Sequence, residues 1–167
     1  KNVLGFNPLL VTYYGNNYTD VGERNLKRMK DVFEVDHLIY YPSVGLLQKL
    51  NRLGLIAMGD MNWHAHVGIA TLPIRTAVQQ HIPTVIWGEH GFTSLCGQYS
   101  KDDYFEWNYR NRREHSARGY EWNFFVGIEG ITPQDMMCYQ YPSDKKLLEI
   151  GLRGIYLGNH THWDANN

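Results

Sequence analysis

The chain has 167 residues, 43% hydrophobic and 20% charged, proportions that suit one packed domain and exclude a disordered or low-complexity chain. Sixteen basic against seventeen acidic side chains leave a net charge of -1, so no bulk charge draws the chain to nucleic acid or to an anionic membrane. Two cysteines, Cys96 and Cys138, are too few for a disulfide framework, and with no membrane-length apolar run they predict a soluble, cytoplasmic protein.

In chain order the pattern alternates between strand and helix. Lys1 to Pro8 read as the tail of a helix, its glycine stop and a turn, which predicts a piece cut from something longer. Leu9 to Tyr14 are strand-like, and Gly15-Asn16-Asn17 breaks the run. Thr19 or Asp20 then caps a helix to about Phe33, with Glu23 placed for a capping box from Asp20. Val21, Leu26, Met29 and Phe33 supply its apolar stripe. Asp36 to Tyr41 form a second strand, closed by Pro42. Ser43 caps the next helix, whose Leu46, Leu47, Leu50 and Leu53 face inward. Residues 67–80 are helical, with Pro73 expected at a turn or kink, and a strand follows at 83–87.

Successive strand–helix–strand units of this length predict an α/β fold with a parallel, doubly wound sheet in a single domain. Residues 92–127 interrupt that rhythm with aromatic and charged side chains, which predicts a helical insertion or lid. Thr132 or Asp135 begins a short helical piece, and Pro142-Ser143-Asp144 caps another helix through Ile150. Gly151 stops it, and residues 154–158 read as a final strand. Trp163 to Asn167 follow without a closing element, again as a fragment would.

Polar chemistry gathers at element ends. The apolar run Ile82-Pro83-Thr84-Val85-Ile86-Trp87 stops at Gly88, and Glu89 and His90 follow before Gly91. A buried parallel strand delivers such groups to the carboxyl edge of a sheet, where α/β proteins bind ligands. Arg112, Arg113, Glu114, His115 and Arg118 form a dense cluster beside aromatics, able to grip phosphate or carboxylate or to lace a solvated helix face with ion pairs. His64-x-His66 and His160-x-His162-x-Asp164 have spacings that converge on a cation when carried by a strand. The two cysteines read as small hydrophobes.

Several motifs in order carry a family resemblance. They are Asn7-Pro8-Leu9-Leu10-Val11-Thr12, Asp36-His37-Leu38-Ile39-Tyr40, Trp87-Gly88-Glu89-His90-Gly91, Arg112-Arg113-Glu114-His115-Ser116, Arg118-Gly119-Tyr120, Tyr141-Pro142-Ser143, Arg153-Gly154-Ile155-Tyr156-Leu157-Gly158 and Trp163-Asp164. From about residue 5 to the end the chain resembles the N-acetyl sugar amidotransferases of bacterial O-antigen, pseudaminic acid and legionaminic acid biosynthesis. The resemblance implies a Rossmann-like sheet of the ATP-pyrophosphatase, adenine nucleotide hydrolase-like kind. It implies conversion of a sugar acetamido group into an acetamidino group, with ATP and Mg2+ as cofactors and ammonia from a glutaminase subunit. Adenylation of the amide oxygen releases pyrophosphate and makes a carbon that ammonia can attack, after which AMP departs. Catalysis of that kind is positioning and electrostatics.

By resemblance, Val11 and Thr12 are candidates for adenine contacts, and Gly88 for the edge facing the phosphates. Glu89 is a candidate to orient a phosphate contact or take a proton from incoming ammonium, and His90 to donate to an oxyanion. Arg112, Arg113 and Arg118 would suit an anionic sugar substrate. No metal-ligating residue is assigned. Two departures stand against the family pattern. Its phosphate loop, Ser-Gly-Gly-Lys-Asp-Ser, is absent here and in the family lies upstream, after a strand that is central in the sheet. Losing that strand leaves two interior edges unpaired and predicts poor stability or self-association. Asn62 and Ala65 stand where some members carry cysteines. Two other readings remain: a metal-dependent hydrolase using the His-x-His segments, and a noncatalytic remnant that binds a glutaminase.

Overall fold

The structure, a computed structural model, describes residues 5–88 and 106–160. It is mixed α/β, and the elements run β1 (Leu10–Tyr13), α1 (Asp20–Phe33), β2 (His37–Tyr40), α2 (Val44–Met58), α3 (Trp63–Gln80), β3 (Thr84–Trp87), α4 (Asp144–Glu149) and β4 (Arg153–Tyr156). Short π and 3-10 turns occupy most of 111–139. No described helix is long and apolar enough to cross a membrane.

The strands form two separate pairs. β1 runs parallel to β2, with Leu10 opposite His37 and Tyr13 opposite Tyr40. β3 runs parallel to β4, with Thr84 opposite Arg153 and Trp87 opposite Tyr156. No described strand joins β1 to β3. Leu10 and Tyr14 donate to Asp36 O and Tyr40 O, so the alternation of a strand turns the backbone groups of Val11 and Tyr13 toward the other, unpaired edge.

Helix α3 underlies both pairs. Tyr13 lies on Gly68, where an added Cβ would stand 2.4 Å from the tyrosine ring, so only glycine permits the approach. One residue on, Trp87 donates its indole N–H to Ile69 O at 3.3 Å. That carbonyl is the one deprived of a helical partner, because Pro73 four residues later has no N–H. Pro73 therefore sits inside α3 and not at a turn, and the helix begins at Trp63, four residues earlier than the sequence pattern suggests.

The core divides at the same proline. Trp63, Val67 and Leu72 join the cluster of Tyr13, Leu50, Phe125, Met136 and Tyr139. Ile74 and Ala77 join the smaller cluster of Val85, Trp87 and Tyr156. Within α2, Leu47 and Leu50 are buried and Leu46 and Leu53 pack partly against the first cluster, as the leucine spacing predicts. The described part of 92–127 is not set apart from the fold: Ala117 and Phe125 are core residues, and Trp107 N–H donates to Gly154 O.

Local predictions need three corrections. Thr19 is the N-cap of α1, accepting from Gly22 N, and Glu23 accepts from the Tyr14 hydroxyl in place of closing a box with Asp20. Ser43 and Ser143 precede their helices without side-chain capping bonds. In α1 only Leu26 is buried, while Val21 and Phe33 are more than half exposed, because the two-stranded sheet covers too little of the predicted stripe.

Candidate functional site

Two places carry the predicted chemistry. The first is formed by the carboxyl ends of β1 and β3, which meet the Gly68–Ile69 turn of α3 from either side. Thr12 lies next to the end of β1, Val11 one residue further back, and Gly88 directly after β3. Val11 turns its backbone toward the unpaired edge, whereas Thr12 bonds toward β2 and its hydroxyl meets His37 Nε2 at 2.9 Å. Glu89, His90 and Cys96 lie outside the described residues.

Beneath β1 sits a buried polar chain that the sequence does not disclose. Tyr13 hydroxyl lies 2.9 Å from His64 Nδ1 and 2.7 Å from the Tyr139 hydroxyl. With its amide nitrogen turned inward, Asn51 donates to His64 Nε2 at 2.8 Å. That bond makes Nε2 the acceptor, so Nδ1–H donates to Tyr13 and Tyr13 in turn to Tyr139. Burial is the main cause that pushes the His64 pKa down to about 4, which keeps the imidazole neutral. Burial likewise raises the Cys138 thiol to about 11, an inert buried cysteine as read from the sequence.

His64-x-His66 lies in α3 and not in a strand, so its two rings diverge and do not converge on a cation. His66 leaves the core on the other side, where its Nδ1 meets Asp60 Oδ2 at 2.9 Å. The same oxygen accepts from Arg118 Nε at 2.6 Å, and Asn62 N–H donates to Asp60 Oδ1 at 2.9 Å. Burial works to raise the Asp60 carboxyl, but these bonds outweigh it and hold the pKa below the usual value. His160 is described, while His162 and Asp164 are not. Among the described residues no group of three His, Cys, Asp or Glu side chains is placed to hold a metal ion.

The second place is a cleft of about 600 Å³ in the wall made by 109–123 and the turn before α4. Arg112 and Arg113 both line it, as the sequence cluster suggests, but Arg118 does not. The Arg112 guanidinium is held between two tyrosines, its carbon 4.8 Å from the Tyr109 ring centre and 4.5 Å from that of Tyr141. Its Nη2 donates to Glu121 Oε1 at 3.1 Å. Arg113 Nη1 donates to the Tyr109 hydroxyl at 2.9 Å.

The turn beyond is fastened from below. Trp63 Nε1 lies 3.1 Å from both Ala117 O and Tyr120 O, and Tyr120 donates to Ala57 O. Arg118 adopts a left-handed φ of 50°, costly for a residue with a Cβ, and its bond to Asp60 holds it there. Gly119, Glu121 and Trp122 follow directly into the cleft wall.

No described residue of the cleft wall belongs to the ends of β1 or β3, so the two places remain distinct. Sequence reasoning did not find Asp60, Glu121 or Tyr141 as site residues. Of the three, only Tyr141 stands in a motif singled out from the sequence, Tyr141-Pro142-Ser143. Comparison of the chain with protein-family models and with curated proteins returns no match.

Proposed function

We infer that this chain is the nucleotide- and sugar-facing core of an ATP-dependent amidotransferase. The reaction converts a sugar acetamido group into an acetamidino group with ammonia from a glutaminase partner. The observation that carries the reading is that β1 and β3, each the partner of a parallel strand, end in Tyr13 and Trp87 against the adjacent residues Gly68 and Ile69 of α3, with Thr12 just before one end and Gly88 just after the other. Ligands of open α/β sheets bind at such ends. In finer topology the reading is a Rossmann-like sheet in which a further strand lies between β1 and β3. The absence, among the described residues, of a strand that pairs with β1 or β3 on their second edges supports it.

The described residues fit ATP with Mg2+ only at one end. The carboxyl end of β1, beyond the edge that the further strand would pair, is where an adenine ring is assigned. The sequence has no phosphate loop, and the described residues offer no triad of metal ligands, so they do not fit the triphosphate. No chemical step through ATP is therefore derived for these residues. Their part is to bind: Val11 at the base, and the cleft around Arg112 and Arg113 at the sugar.

A second reading, a noncatalytic remnant that binds a glutaminase, draws on the strand edges left unpaired among the described residues. The same edges favour self-association. One experiment separates the readings. The protein encoded by the whole open reading frame is incubated with ATP, ammonium and an acetamido sugar, and AMP is measured. Formation of AMP that depends on both co-substrates supports the amidotransferase, and Glu89→Gln is expected to abolish it while leaving the circular dichroism spectrum unchanged. Tight glutaminase binding without AMP would support the remnant, and near-normal AMP formation in Glu89→Gln would remove the role given to that carboxylate.

A further inference from the structure

Arginines in a cleft invite an acidic ligand, yet the bonding of these two points elsewhere. Arg112 is already neutralised by Glu121 and enclosed by the rings of Tyr109 and Tyr141. Of the charged lining residues, Arg112 and Arg113 are matched by Glu121 and Asp144, two of each sign, for a net charge of zero. An acidic group entering here would have to draw Arg112 from Glu121 while facing two carboxylates.

What the wall does offer is a partly exposed indole among mixed polar groups. Trp122 packs partly against the core cluster and also lines the cleft. Around it stand the Asn123 amide and the Ser143 hydroxyl, the latter not used to cap α4. The Glu121 and Asp144 carboxylates accept hydrogen bonds only. Two further polar atoms in the wall, Arg112 Nε and the Tyr141 hydroxyl, are buried without a partner. Burial raises the Tyr141 pKa, so its hydroxyl keeps its proton and stays a donor. Both atoms lie beneath the cleft surface, so the polar groups a ligand meets are those of Glu121, Asp144, Asn123 and Ser143.

We propose that the cleft takes an uncharged, polyhydroxylated ring, and that Arg112 and Arg113 build its wall in place of seating a phosphate or carboxylate. The ring's C–H groups lie against Trp122, and its hydroxyls donate to Glu121 and Asp144 and exchange hydrogen bonds with the Asn123 amide and the Ser143 hydroxyl. A cleft of about 600 Å³ lies within the roughly 300–1,000 Å³ common for small-molecule sites. This rests on the reading of the cleft as the sugar site and specifies which part of a sugar substrate it holds.

The test titrates the 167-residue chain with N-acetylglucosamine, N-acetylneuraminic acid and inorganic phosphate while following tryptophan indole N–H resonances by NMR. N-acetylglucosamine is expected to shift the Trp122 resonance and to bind at least about tenfold more tightly than either anion. Trp122→Phe is expected to weaken it, and the double variant Glu121→Gln, Asp144→Asn to shift preference toward N-acetylneuraminic acid with the fold unchanged. Tighter binding of phosphate or of the acidic sugar by the wild-type chain would overturn the proposal. Failure of all three probes to move the resonance would also overturn it, whereas the amidotransferase reading stands or falls separately on AMP formation.

Discussion

The two strand pairs are alike in length, direction and pairing, yet they are held very differently. Around β1–β2 the core contains Leu50, Trp63, Phe125 and Met136, each with no exposed surface, and a satisfied chain of buried hydrogen bonds. Around β3–β4 the cluster among the described residues is Ile74, Ala77, Val85, Trp87 and Tyr156, with the next described cover only partly buried. The difference is supplied from far along the chain. Residues 117–139 fold back over the first pair, whereas Trp107, Tyr141, Leu147 and Leu152 flank the second. A short parallel pair has little stability of its own, so its depth of burial decides how firmly it is held.

The sharpest way to break the contrast is Trp63→Ala. This removes a fully buried indole packed on Phe125 and Tyr139 and its bonds to Ala117 and Tyr120, at an expected cost of about 4 kcal/mol. Urea denaturation measures the loss, and hydrogen exchange should rise first in β1–β2 and at 117–121. Equal rises in β3–β4 would mean that the two halves unfold as one.

Acid provides the next largest effect, again in the first half. The folded pKa of His64, about 4, lies below the ordinary value of 6.5, so the unfolded chain binds the extra proton. Stability is therefore complete above about pH 6.5 and falls as the pH drops toward 4, by about 3 kcal/mol in all. His64→Gln is expected to flatten the stability profile across that window. An unchanged slope would show that His64 is not the group responsible.

Each half also depends on a glycine that admits an aromatic ring. Gly68→Ala places a methyl 2.4 Å from Tyr13 and is expected to cost about 2 kcal/mol in a melting experiment. A Cβ on Gly154 would meet Trp107 at 2.7 Å and Trp87 at 2.8 Å, so the same substitution there tests whether the thinner half yields more easily.

The smallest effect is the most specific. Trp87→Phe deletes the bond to Ile69 O and should cost about 1 kcal/mol beyond the packing change. In a Pro73→Ala background the new backbone N–H can satisfy the same carbonyl, so that increment should vanish. A double-mutant cycle with no coupling energy would refute the link between proline and indole.

Much of the local order was legible in the residues. Thr19, the leucine spacing of α2 and the apolar run ending at Gly88 marked real elements, because capping, period and turn chemistry act over a few residues. The α1 stripe misled, since periodicity identifies a face that can be buried but not what covers it. The His64-x-His66 spacing misled for a related reason: its meaning depends on whether helix or strand carries it, and the helix begins at Trp63, before the predicted start at 67. The arginine cluster was located, but its division between a cleft wall and the Asp60 anchor was not visible. Asp60 stands 58 residues before Arg118.

The sequence by itself determined the strand–helix rhythm, the neutral charge and the grouping of polar residues at element ends, all properties of near neighbours. Tertiary structure decided the rest: the division of the strands into two pairs, the splitting of the core at Pro73, and the pairing of Arg112 with Glu121 between two tyrosine rings. Those outcomes depend on which distant segments exclude water together, and burial and charge pairing act through space and not along the chain.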